Sequence, residues 1–317
     1  MRSDTLHIVT AVANPIRWKS RVALARSAIA GWLVEPNVAV TLVECAYGGR
    51  GYELADFAGP RVTHVPVRAT TLAWNKENLI NIGISRLPTD AAFIGTFDAD
   101  IAFRKPGWAN EVISALDLYP VVQPWQNAYD LGPNDSHLQT HASFASLWHS
   151  GKPVVATGPN FWKFQGGPYD YSHSGYAWAW QRRALDLLGG LFEDAGMGSG
   201  DHVMALALVG AVERSFPGRV ADAYRKAVMT WQARALTHVN LKVGFVPGTI
   251  EHSWHGSKTR RAYVDRWDMF LRHGFDPSTD LKRNTFGVIE FAGNKPALEQ
   301  AFDRYLRSRE EDGNLAD

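Results

Sequence analysis

The sequence predicts an α/β protein: a mostly parallel sheet with helices on both faces, followed by a C-terminal helical extension. Two observations carry this. Apolar, β-branched runs alternate with helix-period segments through the first hundred residues. The strand runs are also apolar almost throughout, as expected of strands covered on both sides. The 317 residues leave room for an ample core.

The elements follow in order. "LHIVTAVAN" (6–14) reads as a buried strand stopped by Pro15. "SRVALARSAIAGWL" (20–33) reads as a helix with Ser20 as its N-cap. Strands are expected at 37–47 and 61–67, a helix at 76–87, and a fourth strand at 91–100 ending in Asp98 and Asp100. In the second half, a helix lies within 106–120 and "VVQPW" is a strand. Residues 126–152 are polar and histidine-bearing and read as a long loop with helical pieces. "GYAWAW" (175–180) is a strand feeding a helix, and "GMGSGD" (196–201) is a glycine-rich turn opening another. A helix follows at 221–236, then a strand from 243 into the histidines of 252–255, then helices at 260–274 and near 296–308. With no repeat or low-complexity linker, residues 1–275 read as one continuous domain and 276–317 as an extension packed on it.

Composition excludes several classes. Lys+Arg is 33 and Asp+Glu 32, so no global field recruits nucleic acid or an anionic membrane, although a local basic patch is compatible with the balance. A single cysteine, Cys45, rules out an intrachain disulfide and a cysteine-rich zinc site. No run of about 18 apolar residues occurs, and the N-terminus lacks a secretory pattern. A soluble, cytoplasmic protein is expected. The 12 tryptophans are either core residues or rings stacked against sugars or bases.

Open sheets of this kind bind ligands at the carboxyl ends of their strands, where Asn14, Glu44 and Asp98 fall. Two acids spaced i, i+2 at such an end suit a hard cation, one carboxylate on the metal and the other on a ligand hydroxyl. They could instead cap a turn. His252 and His255 in "EHSWHG" share a face at i, i+3 and could complete a shell begun by Asp100, favouring Mn²⁺ over Mg²⁺; the alternative is a hydrogen-bonded structural pair. Lys258, Arg260, Arg261 and Arg266 suit a diphosphate, with two of the four expected on a solvated helix face. Asp201 is either a helix N-cap or a general base kept ionised by the helix N-terminus.

In this order the pieces resemble a GT-A-fold (Rossmann-like) glycosyltransferase, in detail the β-1,4-galactosyltransferases. "NPIRWKSR" (14–21) resembles their P-F-R-x-R loop at Pro15 and Arg17. "WNKENLINIGI" (74–84) resembles F-N-R-A-K-L-L-N-V-G-F, matching Asn75, Lys76, Asn81 and Gly83. "FDADIAF" resembles the D-V-D (DxD) segment, and "GSGDHV" resembles G-G-E-D-D-D, whose base falls on Asp201. "HSWH" resembles the metal-binding M-x-x-H, placing ligands on His252 and His255; another register leaves His252 alone. "GYAWAWQRR", "GSGD" and "HSWHGSKTRRAYVDR" are also similar to elements of bacterial and phage glycosyltransferase-like proteins. The matches span residues 8–266. Gly200 departs from the galactosyltransferase pattern, which has Glu there, and His202 and Val203 replace two acids.

The resemblance implies a metal-dependent hexosyltransferase using a nucleotide diphosphate sugar, a UDP-sugar favoured, and a glycan or other hydroxyl acceptor. The nucleotide is expected near Asn14, Pro15, Arg17, Glu44, Asn75 and Lys76, with Asp98, Lys258 and Arg261 also on the donor. Asp100, His255 and His252 would hold Mn²⁺ (or Mg²⁺), and Asp201 would act as base in an inverting transfer. Trp178, Trp180 and Trp254 are candidate walls around the sugars. Rival readings are a phage-type enzyme glycosylating modified bases in DNA, a non-catalytic carbohydrate- or nucleotide-binding domain, and a metal-dependent nucleotidyltransferase or hydrolase.

Overall fold

A computed structural model describes residues 4–154, 172–216, 218–257, 259–261 and 265–313. The first half runs β1 (Leu6–Ala13), α1 (Lys19–Trp32), β2 (Val38–Tyr47), β3 (Val62–Ala69), α2 (Lys76–Ile84) and β4 (Phe93–Phe97). Past the Asp98–Asp100 turn come β5 (Ile101–Phe103), α3 (Trp108–Leu118), β6 (Val121–Gln123), β7 (Asn127–Leu131), β8 (His137–Ala142) and α4 (Phe144–His149). Then follow β9 (Ala177–Gln181), α5 (Arg182–Leu188), α6 (Gly200–Leu208), α7 (Asp222–His238), β10 (Val243–Phe245) and β11 (Thr249–His252). The chain closes with α8 (Asp265–His273), α9 (Pro277–Asp280), β12 (Leu281–Arg283), β13 (Ile289–Phe291) and α10 (Pro296–Ser308).

The central sheet has the order β10-β6-β9-β4-β1-β2-β3. All its pairs are parallel except those of β9, which is antiparallel to both β4 and β6. The largely parallel α/β architecture is therefore the one the strand–helix alternation predicts. Successive side chains of β1 and β2 feed two separate cores. Leu6, Ile8, Val38, Val40 and Leu42 pack with α1 and α3 on one face. Val9, Val43 and Cys45 pack with α2 on the other, where α5, α6 and α7 also lie. Gly83 lets α2 approach closely, since a Cβ there would collide with the Val9 and Val43 side chains.

Three expectations are corrected. Residues 126–152 are not mainly loop: β7 and β8 form an antiparallel hairpin in a second sheet of order β5-β11-β7-β8. "NAYDL" alternates half-buried and buried, but Asp130 takes an inward place where an apolar residue is expected, which hides the strand. The strand expected from 243 onward is two strands in different sheets, broken at Pro247 and Gly248. Ser20 does not cap α1. The carboxylate of Asp312 accepts from the backbone N–H groups of Lys19 (3.0 Å) and Ser20 (2.9 Å). The chain beyond α10 thus returns to α1. Glu311 joins it there, accepting from Arg21 Nε at 2.6 Å and Nη2 at 2.8 Å.

Candidate active site

Asp98 and Asp100 follow the end of β4 in a turn whose geometry is fixed from three sides. Thr10 Oγ1 donates to Phe97 O (2.7 Å), Asp98 N donates to Tyr176 O (2.8 Å), and Ser253 N donates to Asp100 O (2.9 Å). The antiparallel register of β5 with β11 sets His252 opposite Ile101, next to Asp100.

The result is a cluster of donor atoms. Asp100 Oδ2 lies 3.1 Å from His255 Nε2 and 3.7 Å from His252 Nε2. The two Nε2 atoms are 3.2 Å apart. One ligand atom from each of the three residues falls within 4.8 Å of the others. Asp100 Oδ1 is out of solvent and has no hydrogen-bond partner among the described residues. A carboxylate with one buried oxygen unpartnered and the other facing two converging imidazole nitrogens fits a divalent cation, and a carboxylate with two imidazoles suits Mn²⁺. The electrostatics agree. Burial lowers His252, but Asp100 and Asp130 outweigh it and lift the imidazole to about 10, so without an ion a proton supplies the positive charge. Burial, with Arg261 nearby, pushes His255 down to about 4. Burial raises Asp100, but the histidines outweigh it and hold the carboxyl well below its usual range.

Asp98 behaves differently. Lys76 Nζ donates to its Oδ1 at 3.0 Å. Burial nevertheless dominates and raises its carboxyl, with Asp100 and Asp201 adding to the rise. Asp201 sits in the first turn of α6, whose N-cap position is Ser199 in the left-handed conformation; the aspartate is not the cap. Its Oδ1 accepts from His202 N at 2.8 Å. Burial raises Asp201, but Lys76 and that N–H outweigh it and keep the carboxyl below its ordinary value. A Cβ at Gly200 would stand 2.6 Å from the Glu77 carboxyl carbon, so the end of that side chain, reaching over from α2, would have to shift to admit one. A carboxylate therefore stands beside Gly200, but it comes from another helix.

Asp98, Asp100, Asp201, Lys76, His252 and His255 all line one cavity of about 300 Å³, a size that suits a small ligand. Pro15, Asn75 and Arg261 line it too. Asn14, Arg17 and Glu44 line a neighbouring cleft. There the Glu44 carboxylate accepts from Leu54 N (3.2 Å), His64 Nε2 (2.7 Å) and Glu53 N, and so orders the loop after β2. Asn14 braces its own loop, accepting from Trp18 N and donating to Trp18 O, both at 2.9 Å.

The expected tryptophan walls are placed elsewhere. Trp178 and Trp180 project from a central strand into the core and are 5% and 1% exposed. Their indole N–H groups donate to Ser174 O (2.8 Å) and Thr96 Oγ1 (3.1 Å). Trp254 donates to Gly313 O at 2.9 Å and does not line the cavity. Trp74 does line it, beneath the guanidinium groups of Arg266 and Arg309. Of the basic run, Arg261 and Arg266 are buried at the cavity, Arg260 is exposed and pairs with Glu310, and Lys258 lies outside the described residues. Sequence reasoning missed Trp74, Asp130, Glu77 and the C-terminal Arg309 and Glu311. For Asp130 the signal was the alternation of "NAYDL"; for Glu311 the sequence carries none.

No protein-family model matches the chain, and no curated protein sequence matches it. Several solved structures are similar at low identity. S. aureus TarS in complex with UDP-GlcNAc is 7% identical, with a TM-score of 0.46 over 96% of this chain and 72% of that one. The mannosyltransferase PcManGT from Pyrobaculum calidifontis, in complex with GDP-Man and Mn²⁺, is 13% identical, with a TM-score of 0.43 over 96% and 72%. GalNAc-T7 with UDP, GalNAc and Mn²⁺ is 14% identical, with a TM-score of 0.45 over 87% and 49%. Likeness at this level carries no argument about activity. Among the described residues no helix is long and apolar enough to cross a membrane.

Proposed function

We propose that the chain is a metal-dependent glycosyltransferase of the GT-A type, moving a hexosyl group from a nucleotide diphosphate sugar to a hydroxyl acceptor. One observation carries the reading: a candidate cation cluster, a lysine held by a second aspartate, and an ionised aspartate on a helix N-terminus share one cavity at the carboxyl end of β4. In this reading residues 1–275 form the catalytic domain and 276–317 an extension packed on it.

Asp100, His252 and His255 would hold Mn²⁺ or Mg²⁺. When bound, such an ion supplies Lewis-acid stabilisation of charge on the departing diphosphate. Arg261 and Arg266 offer guanidinium donors to the same phosphates. Asp98, oriented by Lys76, accepts from hydroxyls of the donor. Asp201 takes the acceptor proton as the new bond forms at the anomeric carbon and the bond to the diphosphate breaks on the opposite face, inverting the configuration. Its depressed pKa keeps it ionised at neutral pH, while its position in the first turn of α6 keeps it at the cavity edge. A UDP-sugar donor and a glycan acceptor are the favoured partners.

Asp201→Asn tests the base. We expect kcat to fall about 10²–10⁴-fold, with donor affinity unchanged and an inverted product from the native enzyme. A product of retained configuration, or a variant with native turnover, would remove Asp201 from that role.

A further inference from the structure

The β7–β8 hairpin carries a carboxylate that the proposed reaction does not use. Asp130 is 2% exposed. Its register partner on the parallel neighbour β11 is His252, so the two side chains stand together on one face of the small sheet. Among the described residues, His252, Tyr176 and His141 donate to the carboxylate. Asp130 Oδ1 accepts from His252 Nδ1 at 2.8 Å and from the Tyr176 hydroxyl at 2.7 Å. Its Oδ2 accepts from His141 Nε2 at 2.6 Å. An ionised carboxylate can only accept, so the proton of each bond lies on the partner. The Tyr176 ring also packs on the His252 ring, with centroids 4.6 Å apart, and stacks on His173 at 4.0 Å.

An imidazole that donates from Nδ1 keeps its Nε2 lone pair for a metal. The His252 Nε2 faces away from Asp130, 3.2 Å from His255 Nε2 and 3.7 Å from Asp100 Oδ2. We propose that Asp130 is the positioning residue of the metal centre, fixing the His252 ring and its Nδ1–H form so that Nε2 meets a divalent cation together with Asp100 and His255. The inference rests on the metal-dependent reading above and deepens it. It takes the register in which both His252 and His255 are ligands, since the ring held by Asp130 is directed toward His255 and Asp100. Carboxylates behind metal-binding imidazoles commonly govern affinity by about 10- to 100-fold. Tyr176 and His141 fix Asp130 in turn, which carries the support back to β8 and to the residue that enters β9.

A purely structural Asp130, tying the hairpin to β11, would use the same bonds. A cycle of variants separates the two roles. Mn²⁺ affinity is read from the electron paramagnetic resonance of the unbound ion for the native protein, Asp130→Asn, His252→Ala and the double variant. We expect Asp130→Asn to weaken Mn²⁺ about 10- to 100-fold and to have no further effect once His252 is alanine. Unchanged affinity in Asp130→Asn, or the same loss in the His252→Ala background, would overturn the positioning role. No Mn²⁺ binding by the native protein would instead remove the metal centre, and this inference with it. If Asp130→Asn fails to fold, the native protein suffices. Nitrogen-15 NMR of the protein loaded with diamagnetic Zn²⁺ should show His252 protonated at Nδ1 and metal-bound at Nε2. Metal on Nδ1 would overturn the inference.

Discussion

Asp98 and Asp100 are two residues apart in one turn, yet their surroundings drive them in opposite directions. Burial raises Asp98 against the pull of Lys76, whereas two histidines hold Asp100 low. The account assigns them different partners, so their alanine variants should differ. Asp100→Ala should abolish Mn²⁺-dependent donor binding. Asp98→Ala should weaken the donor by about 10-fold, the worth of a charged hydrogen bond, while sparing Mn²⁺ affinity. Calorimetric titration with metal and then donor checks both, and equal loss of Mn²⁺ in the two variants would refute the division. A second residue-scale prediction concerns Glu77. Burial, with Asp201 adding to it, lifts this carboxyl to about 7 against the pull of Lys76. Its Oε1 has no hydrogen bond among the described residues and lies 4.0 Å from Lys76 Nζ. The unfolded chain releases the proton at an ordinary glutamate value, but the folded protein keeps it to about 7. Stability should therefore fall as pH rises through that window, by about 3 kcal/mol, and level off above it. Glu77→Gln should remove this fall, so urea denaturation at pH 5 and pH 8 should show the variant gaining on the native protein. A difference that does not change with pH would contradict the shift. Residue type and spacing made Asp98, Asp100, Asp201, His252 and His255 legible in the sequence. Glu77 was not, because its place beside Gly200 depends on how α2 packs against α6.

At the scale of elements, the parallel core was readable because its strands are continuous apolar runs punctuated by turns. The hairpin β7–β8 was not, since Asp130 and His141 occupy buried positions made tolerable by their mutual hydrogen bond and by those of Asp130 to His252 and Tyr176. The start of α1 was misread for a related reason. Ser20 has the right chemistry for a cap, but a carboxylate 292 positions away takes the role. Asp312→Ala should cost about 1 kcal/mol by denaturant titration, the usual worth of a cap, and Ser20→Ala clearly less. The reverse order would restore the local cap and loosen the link between α1 and the C-terminal residues. That link bears on the cavity, because Glu311, bonded to Arg21, lies 3.9 Å from His255 Nδ1.

At the scale of the molecule, the chain folds so that groups from β4, α2, α6, β11 and the stretch after α10 meet in one cavity. Sequence order alone could propose that meeting but could not test distances, and it put Trp178 and Trp180 at the site when the core claims them. The central claim is that this cavity holds a divalent cation and a nucleotide diphosphate sugar together. Thermal shift tests it most directly, with UDP-, GDP- and dTDP-sugars and a CMP-sugar as the monophosphate control, each with and without Mn²⁺, on the native protein and on Asp100→Ala. A bound ligand raises the melting temperature by mass action. The account predicts that at least one diphosphate donor stabilises the native protein only when Mn²⁺ is present, and that Asp100→Ala loses the effect. No stabilisation by any diphosphate donor with Mn²⁺ present, or stabilisation that Asp100→Ala retains, would contradict it.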